Sequence, residues 1–177
     1  MKIINTRLDN CLIIEPKVFG DDRGFFLETF HLKRYSEQLN FNFEFVQDNH
    51  SRSSYGVLRG LHFQNNNPQG KLVRVTRGEV FDVAIDLRKD SPSFGLWEGV
   101  YLSEDNKRQL WVPPGFAHGF VVTSEMADFE YKCTNFYDPN DEICIKWDDK
   151  DLAIDWPIKN PIISEKDSNG INLVDID

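Results

Sequence analysis

The stretch from Gly78 to Arg88, GEVFDVAIDLR, puts Phe81, Val83, Ile85 and Leu87 on one side of an extended chain and Asp82, Ala84 and Asp86 on the other. A period of two belongs to a strand with one buried face and cannot be laid on a helix. DFEYKCTNFY (128 to 137) and HGFVVT (118 to 123) alternate in the same way, with Gly and Pro punctuating the intervals. A chain of many short strands must hide its edges, so the expected architecture is all-β, a sandwich or closed barrel of jelly-roll type. One helix is expected in HLKRYSEQLN (31 to 40), where Leu32, Tyr35 and Leu39 share a face and Asn40 can end it. A further short helix or turn is expected in DDKDLAIDW (148 to 156).

At 177 residues the chain has the size of one ordinary domain, able to bury a core without disulfide or metal staples. No repeat, low-complexity tract or linker divides it, so residues 1–177 are expected to form a single domain. Cys11, Cys133 and Cys144 are odd in number and widely spaced, which fits reduced thiols in a cytoplasm better than a disulfide framework or a zinc site. The opening MKIINTRLDN lacks a basic region followed by an apolar one, and no apolar run has membrane-spanning length. A net charge of -9, from 29 acidic and 20 basic residues, repels nucleic acid. A phosphate-bearing ligand would therefore need a local cluster of arginine and lysine. The expectation is a soluble, cytoplasmic protein that binds neither nucleic acid nor membrane.

Strand parity locates polar side chains that share an apolar face and must be satisfied inside the barrel. Lys71 has the parity of Val73 and Val75, Tyr131 that of Phe129 and Cys133, and His118 that of Phe120 and Val122. Gln47 and Asn49 are expected to continue the face of Phe41, Phe43 and Phe45. Singly, Tyr131 and Gln47 are as well explained by a wet barrel rim and Lys71 by snorkelling. Together, so many inward polar groups exceed what a purely structural interior needs.

His62 lies in RGLHFQ (59 to 64), between a leucine and a phenylalanine. A histidine there must be hydrogen-bonded or functional. Arg59 and His62 are three apart and can share a strand face only if Gly60 marks a bulge, so an irregularity is expected. WVPPGFAHGF (111 to 120) has the spacing P-x-G-x-x-H, from Pro113, Gly115 and His118, and is similar to the second motif of the cupin superfamily of small β-barrels. Metal-binding cupins also offer an H-x-H pair and a glutamate, whereas the matching strand supplies only LHF. The pocket is therefore expected to be metal-free, with histidine used for proton chemistry, although two histidines and an acid could make a sparse site.

Six blocks carry a closer resemblance: DDRGFFLETF (21 to 30), VQDNHSRSSYGVLRGLHFQ (46 to 64), QGKLVRVTRGEVFDVAIDLR (69 to 88), QLWVPPGFAHGFVV (109 to 122), YKCTNFYDPNDE (131 to 142) and SEKD (164 to 167). Over nearly its whole length the chain resembles the dTDP-4-dehydrorhamnose 3,5-epimerase family of metal-free cupins. The resemblance implies a homodimer of jelly-roll barrels with a few short helices. It implies no cofactor, and a substrate that is a dTDP-linked 4-keto-6-deoxyhexose. It also implies roles for residues: His62 as base, Asp167 as the carboxylate that orients it, Tyr131 as acid, and Lys71 as the cation near the C4 oxygen. His118 matches a nearby substrate contact. Arg23, Arg59 and Lys166 match cations for the diphosphate, and Tyr137 with Phe19 or Phe26 matches stacking faces for the base. Glu28, Gln47, Asp48, Asn49 and Glu142 match further substrate contacts, with the segment of Arg23 and Glu28 reaching the neighbouring subunit's site. Phe136 departs from a tyrosine that the family often has beside Tyr137. A single-position epimerase, a sugar-binding cupin without activity and a metal-dependent cupin are the alternatives.

Overall fold

A computed structural model describes residues 1–39 and 44–176. The expected helix end at Asn40 and the inward positions of Phe41 and Phe43 lie outside the described residues. Along the chain the first strands are β1 (Lys2–Asn5), β2 (Leu12–Glu15), β3 (Val18–Asp21) and β4 (Gly24–Leu27), followed by helix α1 (Leu32–Leu39). Then come β5 (Gln47–Ser54), β6 (Leu58–Gln64), β7 (Lys71–Arg77), β8 (Glu79–Asp86) and β9 (Trp97–Ser103). The last strands are β10 (Gln109–Val112), β11 (Phe116–Val122), β12 (Met126–Cys133) and β13 (Glu142–Cys144), before helix α2 (Glu165–Ser168). Among the described residues the strands form a sheet ordered β1-β2-β10-β7-β12-β5, a second ordered β13-β6-β11-β8-β9, and the separate hairpin β3-β4. The two large sheets face each other, which is the jelly-roll barrel expected from the alternating sequence.

Three apolar layers hold it together. Between the sheets, Val73, Val75, Val80, Ala84, Phe120, Val122 and Phe129 form one cluster, and Phe120 and Phe129 stack with centroids 4.1 Å apart. Truncating such a ring in a closed core costs about 3–5 kcal/mol. Outside the smaller sheet, Leu58, Leu61, Phe81, Val83, Ile85 and Val121 are covered by Ile145, Leu152 and the flanking Trp147 and Trp156. Outside the larger sheet, Tyr35 and Leu39 of α1 pack on Ile14, Leu72 and Trp111.

This layering corrects three expectations. Strand β8 is buried on both faces rather than one, because the chain after β13 runs across its outer side. Asp82, Ala84 and Asp86, expected on a solvent face, are all 0 % exposed. Asp86 is satisfied by Arg88, Ser91 and Ser93, and Asp82 by His118. Leu32 is exposed although Tyr35 and Leu39 are buried, so the helix buries a narrower face than its spacing allows. Phe45 joins the outer layer against Phe30 and Trp111 instead of aligning with Gln47 and Asn49, since β5 begins only at Gln47. The segment 148 to 156 contains turns and no helix.

Candidate active site

The chemistry starts at the meeting of β6 and β11, where His62 and His118 are direct cross-strand partners. The register shifts between His118 and Phe120, and Gly60 adopts φ 114°, so the irregularity expected between Arg59 and His62 is present. A side chain at Gly60 would come within 2.7 Å of the His118 carbonyl, and one at Gly119 within 2.6 Å of the Arg59 carbonyl. Two glycines thus let the strands approach closely enough for Arg59 and His62 to line one cavity.

That cavity, about 650 Å³, opens between the two sheets. From the smaller sheet it receives Arg59, His62, His118 and Glu142; from the larger sheet Gln47, Asn49, Lys71 and Tyr131. Tyr137, Lys166 and Asp167 close its rim. The inward parity read for Lys71, Tyr131, His118, Gln47 and Asn49 therefore holds.

His62 Nε2 lies 2.7 Å from Asp167 Oδ1, and its Nδ1 lies 3.6 Å from Glu142 Oε1. Asp167 stands at this point because Ser164 caps α2 by accepting the Asp167 backbone N–H, while the Gly60 N–H reaches the Asp167 carboxylate at 3.5 Å. Burial pushes the Asp167 carboxyl up, but the His62 hydrogen bond and charge, with the Gly60 and Ser164 contacts, outweigh it and hold the group below its ordinary value. It is a carboxylate at neutral pH and can hold the imidazole in one tautomer and stabilise it when protonated.

Across the cavity, burial pushes the Tyr131 hydroxyl up, so it is a proton donor at rest. Burial also pushes Lys71 down, opposed by the neighbouring Cys133 and Asp82. At the rim, the Tyr137 hydroxyl donates to Glu142 at 2.9 Å, Lys166 pairs with the same carboxylate, and the Tyr137 N–H donates to Gln47.

A second pair was not foreseen in the sequence. Asp82, completely buried, meets His118 Nε2 at 2.9 and 3.0 Å. The available signal was that Val80 and Ala84 share its face, leaving β8 apolar on both sides and Asp82 no route to water.

Arg23, Glu28 and Asp48 do not reach this cavity within one chain. Arg23 sits in the β3-β4 hairpin and pairs with Asp21, and Glu28 pairs with Arg34. Asp48 follows Gln47 on β5 and so points to the opposite face, where it pairs with Lys132 at 2.9 Å. Phe19 and Phe26, the other candidate stacking faces, lie exposed on the hairpin.

Among the described residues, His62, Cys144 and Asp167 form a group that could hold a metal ion, with ligand atoms all within 4.8 Å of one another. No helix among the described residues is long and apolar enough to cross a membrane.

Comparison with known proteins shows what the chain is similar to. A family model described as dTDP-4-dehydrorhamnose 3,5-epimerase matches residues 5–175. A dTDP-4-dehydrorhamnose 3,5-epimerase of Shigella flexneri is 57% identical over 178 residues, covering 100% of this chain and 98% of that one. The crystal structure of a dTDP-6-deoxy-D-glucose-3,5-epimerase from Legionella pneumophila, in complex with dTDP-4-keto-L-rhamnose, superposes with TM-score 0.97 at 58% identity, covering 99% of this chain and 94% of that one. A dTDP-4-dehydrorhamnose 3-epimerase of Streptomyces niveus is 39% identical over 163 residues, 92% of this chain and 79% of its own.

Proposed function

The chain belongs to the dTDP-4-dehydrorhamnose 3,5-epimerase family, and from that premise we propose how it converts dTDP-4-dehydro-6-deoxy-D-glucose to dTDP-4-dehydro-L-rhamnose for dTDP-L-rhamnose biosynthesis. The observation that carries the reading is the placement of base and acid on opposing sheets: His62, tied to Asp167, on β6, and Tyr131 on β12, with the sugar-sized cavity between. A carbon next to a ketone is inverted when its proton leaves on one face and another arrives on the other. His62 takes the proton from C3 or C5, the electron pair moves into an enolate on the C4 oxygen, and Tyr131 returns a proton from the opposite side. The Tyr131 phenolate and the His62 imidazolium then reset by exchange with solvent. One proton leaves and one is added at each centre, so the steps balance without a redox cofactor or a metal.

Lys71 projects from the same sheet as Tyr131 and supplies positive charge where the enolate oxygen develops. In a partly dry site that favours the enolate over the ketone. Asp82 holds the His118 ring in place beside the sugar by accepting its Nε2–H. Arg59 and Lys166 meet the diphosphate, Tyr137 stacks on the base, and Gln47, Asn49 and Glu142 contact sugar and base.

The partner is a second copy of the chain. Phe19, Phe25 and Phe26 of the β3-β4 hairpin are 53%, 60% and 70% exposed, an apolar patch that favours burial against another subunit. Such a dimer would carry Arg23 and Glu28 to the neighbouring site. A cytoplasmic location fits the three unpaired thiols.

The test is turnover of dTDP-4-keto-6-deoxyglucose in heavy water, read by proton NMR. Solvent deuterium at both C3 and C5 of an L-configured product is expected. Label at C3 alone would make this chain a 3-epimerase, like its Streptomyces niveus relative.

A further inference from the structure

Cys144 has no part in the reaction described above, yet it lies beside the catalytic pair. It is the direct cross-strand partner of His62 in the β13-β6 ladder, so the two side chains share a face. Its Sγ is 3.8 Å from the Asp167 Oδ1 that also meets His62 Nε2 at 2.7 Å. A tetrahedral zinc ion with bonds of roughly 2.0–2.3 Å holds its ligand atoms roughly 3.5 Å apart. Sγ and Oδ1 are close to that spacing, Nε2 and Oδ1 must part from their hydrogen-bond distance to admit an ion, and all three atoms lie within 4.8 Å of one another.

We propose that His62, Cys144 and Asp167 form an inhibitory site for a thiophilic divalent cation of the Zn2+ or Cd2+ type, which takes the place of the proton shared by His62 Nε2 and Asp167 and so leaves Nδ1 protonated and unable to accept a proton from the sugar. The inhibition rests on the reading of His62 as base; the binding does not. To coordinate through Nε2, His62 carries its proton on Nδ1, facing Glu142 Oε1 at 3.6 Å. Metal-bound histidines are commonly oriented by a carboxylate on their other nitrogen. Asp167 is already a carboxylate, so one proton, from the thiol, leaves for each ion bound. The dication, the thiolate and the carboxylate then sum to zero charge, which suits a largely buried position. Burial first, and then the Asp167 charge, push the free thiol up to about 12, so binding works against that bias and strengthens as pH rises. Hard cations such as Mg2+, which favour oxygen ligands, are excluded by the sulfur.

Titration of the whole protein with Cd2+ tests this, following thiolate-to-cadmium charge-transfer absorption in the ultraviolet alongside turnover. Wild type should develop the band at one equivalent and lose activity in step, and Mg2+ should do neither. Cys144→Ser and Cys144→Ala should keep metal-free turnover, show no band, and need about tenfold more Cd2+ or higher for the same inhibition. Cys133→Ser should keep the band. Absence of the band in wild type, or its persistence in both Cys144 variants, would overturn the site. A band at one equivalent with full turnover would instead overturn the inhibition, and with it the role of His62 as base.

Discussion

The cavity holds two histidine–carboxylate pairs on neighbouring strands, and they are built differently. In His62–Asp167 the histidine side chain is 24% exposed and its carboxylate comes from a separate helix 105 residues away along the chain. In His118–Asp82 the exposures are 7% and 0%, and both members belong to adjacent strands of one sheet. The first presents a ring edge to the cavity and keeps its partner behind it. The second is locked within the barrel, with Phe129 stacked alongside at 6.1 Å. Proton transfer needs a group that can change charge while touching the substrate, and only the first pair has that freedom. The second is suited to holding a ring still.

The comparison can be broken by attacking each carboxylate. The largest effect is expected from Asp167→Asn, which keeps the shape but loses the charge behind the base. Steady-state kinetics should show kcat falling on the order of 10³–10⁴-fold with little change in KM, as when the aspartate of a catalytic triad is amidated. Asp82→Ala should act on the fold instead. Removing one partner of a buried pair costs about 3–5 kcal/mol, read as a lower urea midpoint. If Asp82→Ala left stability untouched, the locked pair would not be structural.

A smaller effect sharpens the same contrast through pH. The Asp167 carboxyl is held below its ordinary value in the folded protein. A depressed carboxylate contributes stability that is fully present above the unfolded pKa of about 3.9 and is lost as pH falls through the lower folded value. The stability gap between wild type and Asp167→Asn should therefore be constant near neutrality and shrink below about pH 4. Urea unfolding across that range checks it.

Sequence pattern sufficed for one of these pairs in part and for the other hardly at all. Parity alone turned His118, Lys71 and Tyr131 inward, because a strand has only two faces and the apolar one identifies the core. His62 could be questioned but not placed, since its aim depends on the break at Gly60. Asp167 is beyond any local reading: SEKD followed by SNG looks like a solvated turn, and only the resemblance to a known family marks it. Asp82 reads as solvent-facing because alternation says which residues share a face, not which face turns inward. Its face, shared with Val80 and Ala84, is the one between the sheets, while the chain after β13 covers Phe81, Val83 and Ile85 on the other. Arg23 and Glu28 lie outside the cavity of the single chain, paired with Asp21 and Arg34, and only the proposed dimer would carry them to a site.

The most direct test of the difference between the pairs is solvent exchange into the sugar by His62→Ala and His118→Ala, measured side by side by NMR with dTDP-4-keto-6-deoxyglucose in heavy water. The account predicts that His62→Ala stays folded and puts no deuterium at C3 or C5 on the wild-type timescale, while His118→Ala exchanges both positions at a reduced rate. Exchange by His62→Ala at the wild-type rate, or its loss in His118→Ala alone, would contradict the assignment of His62 as the base.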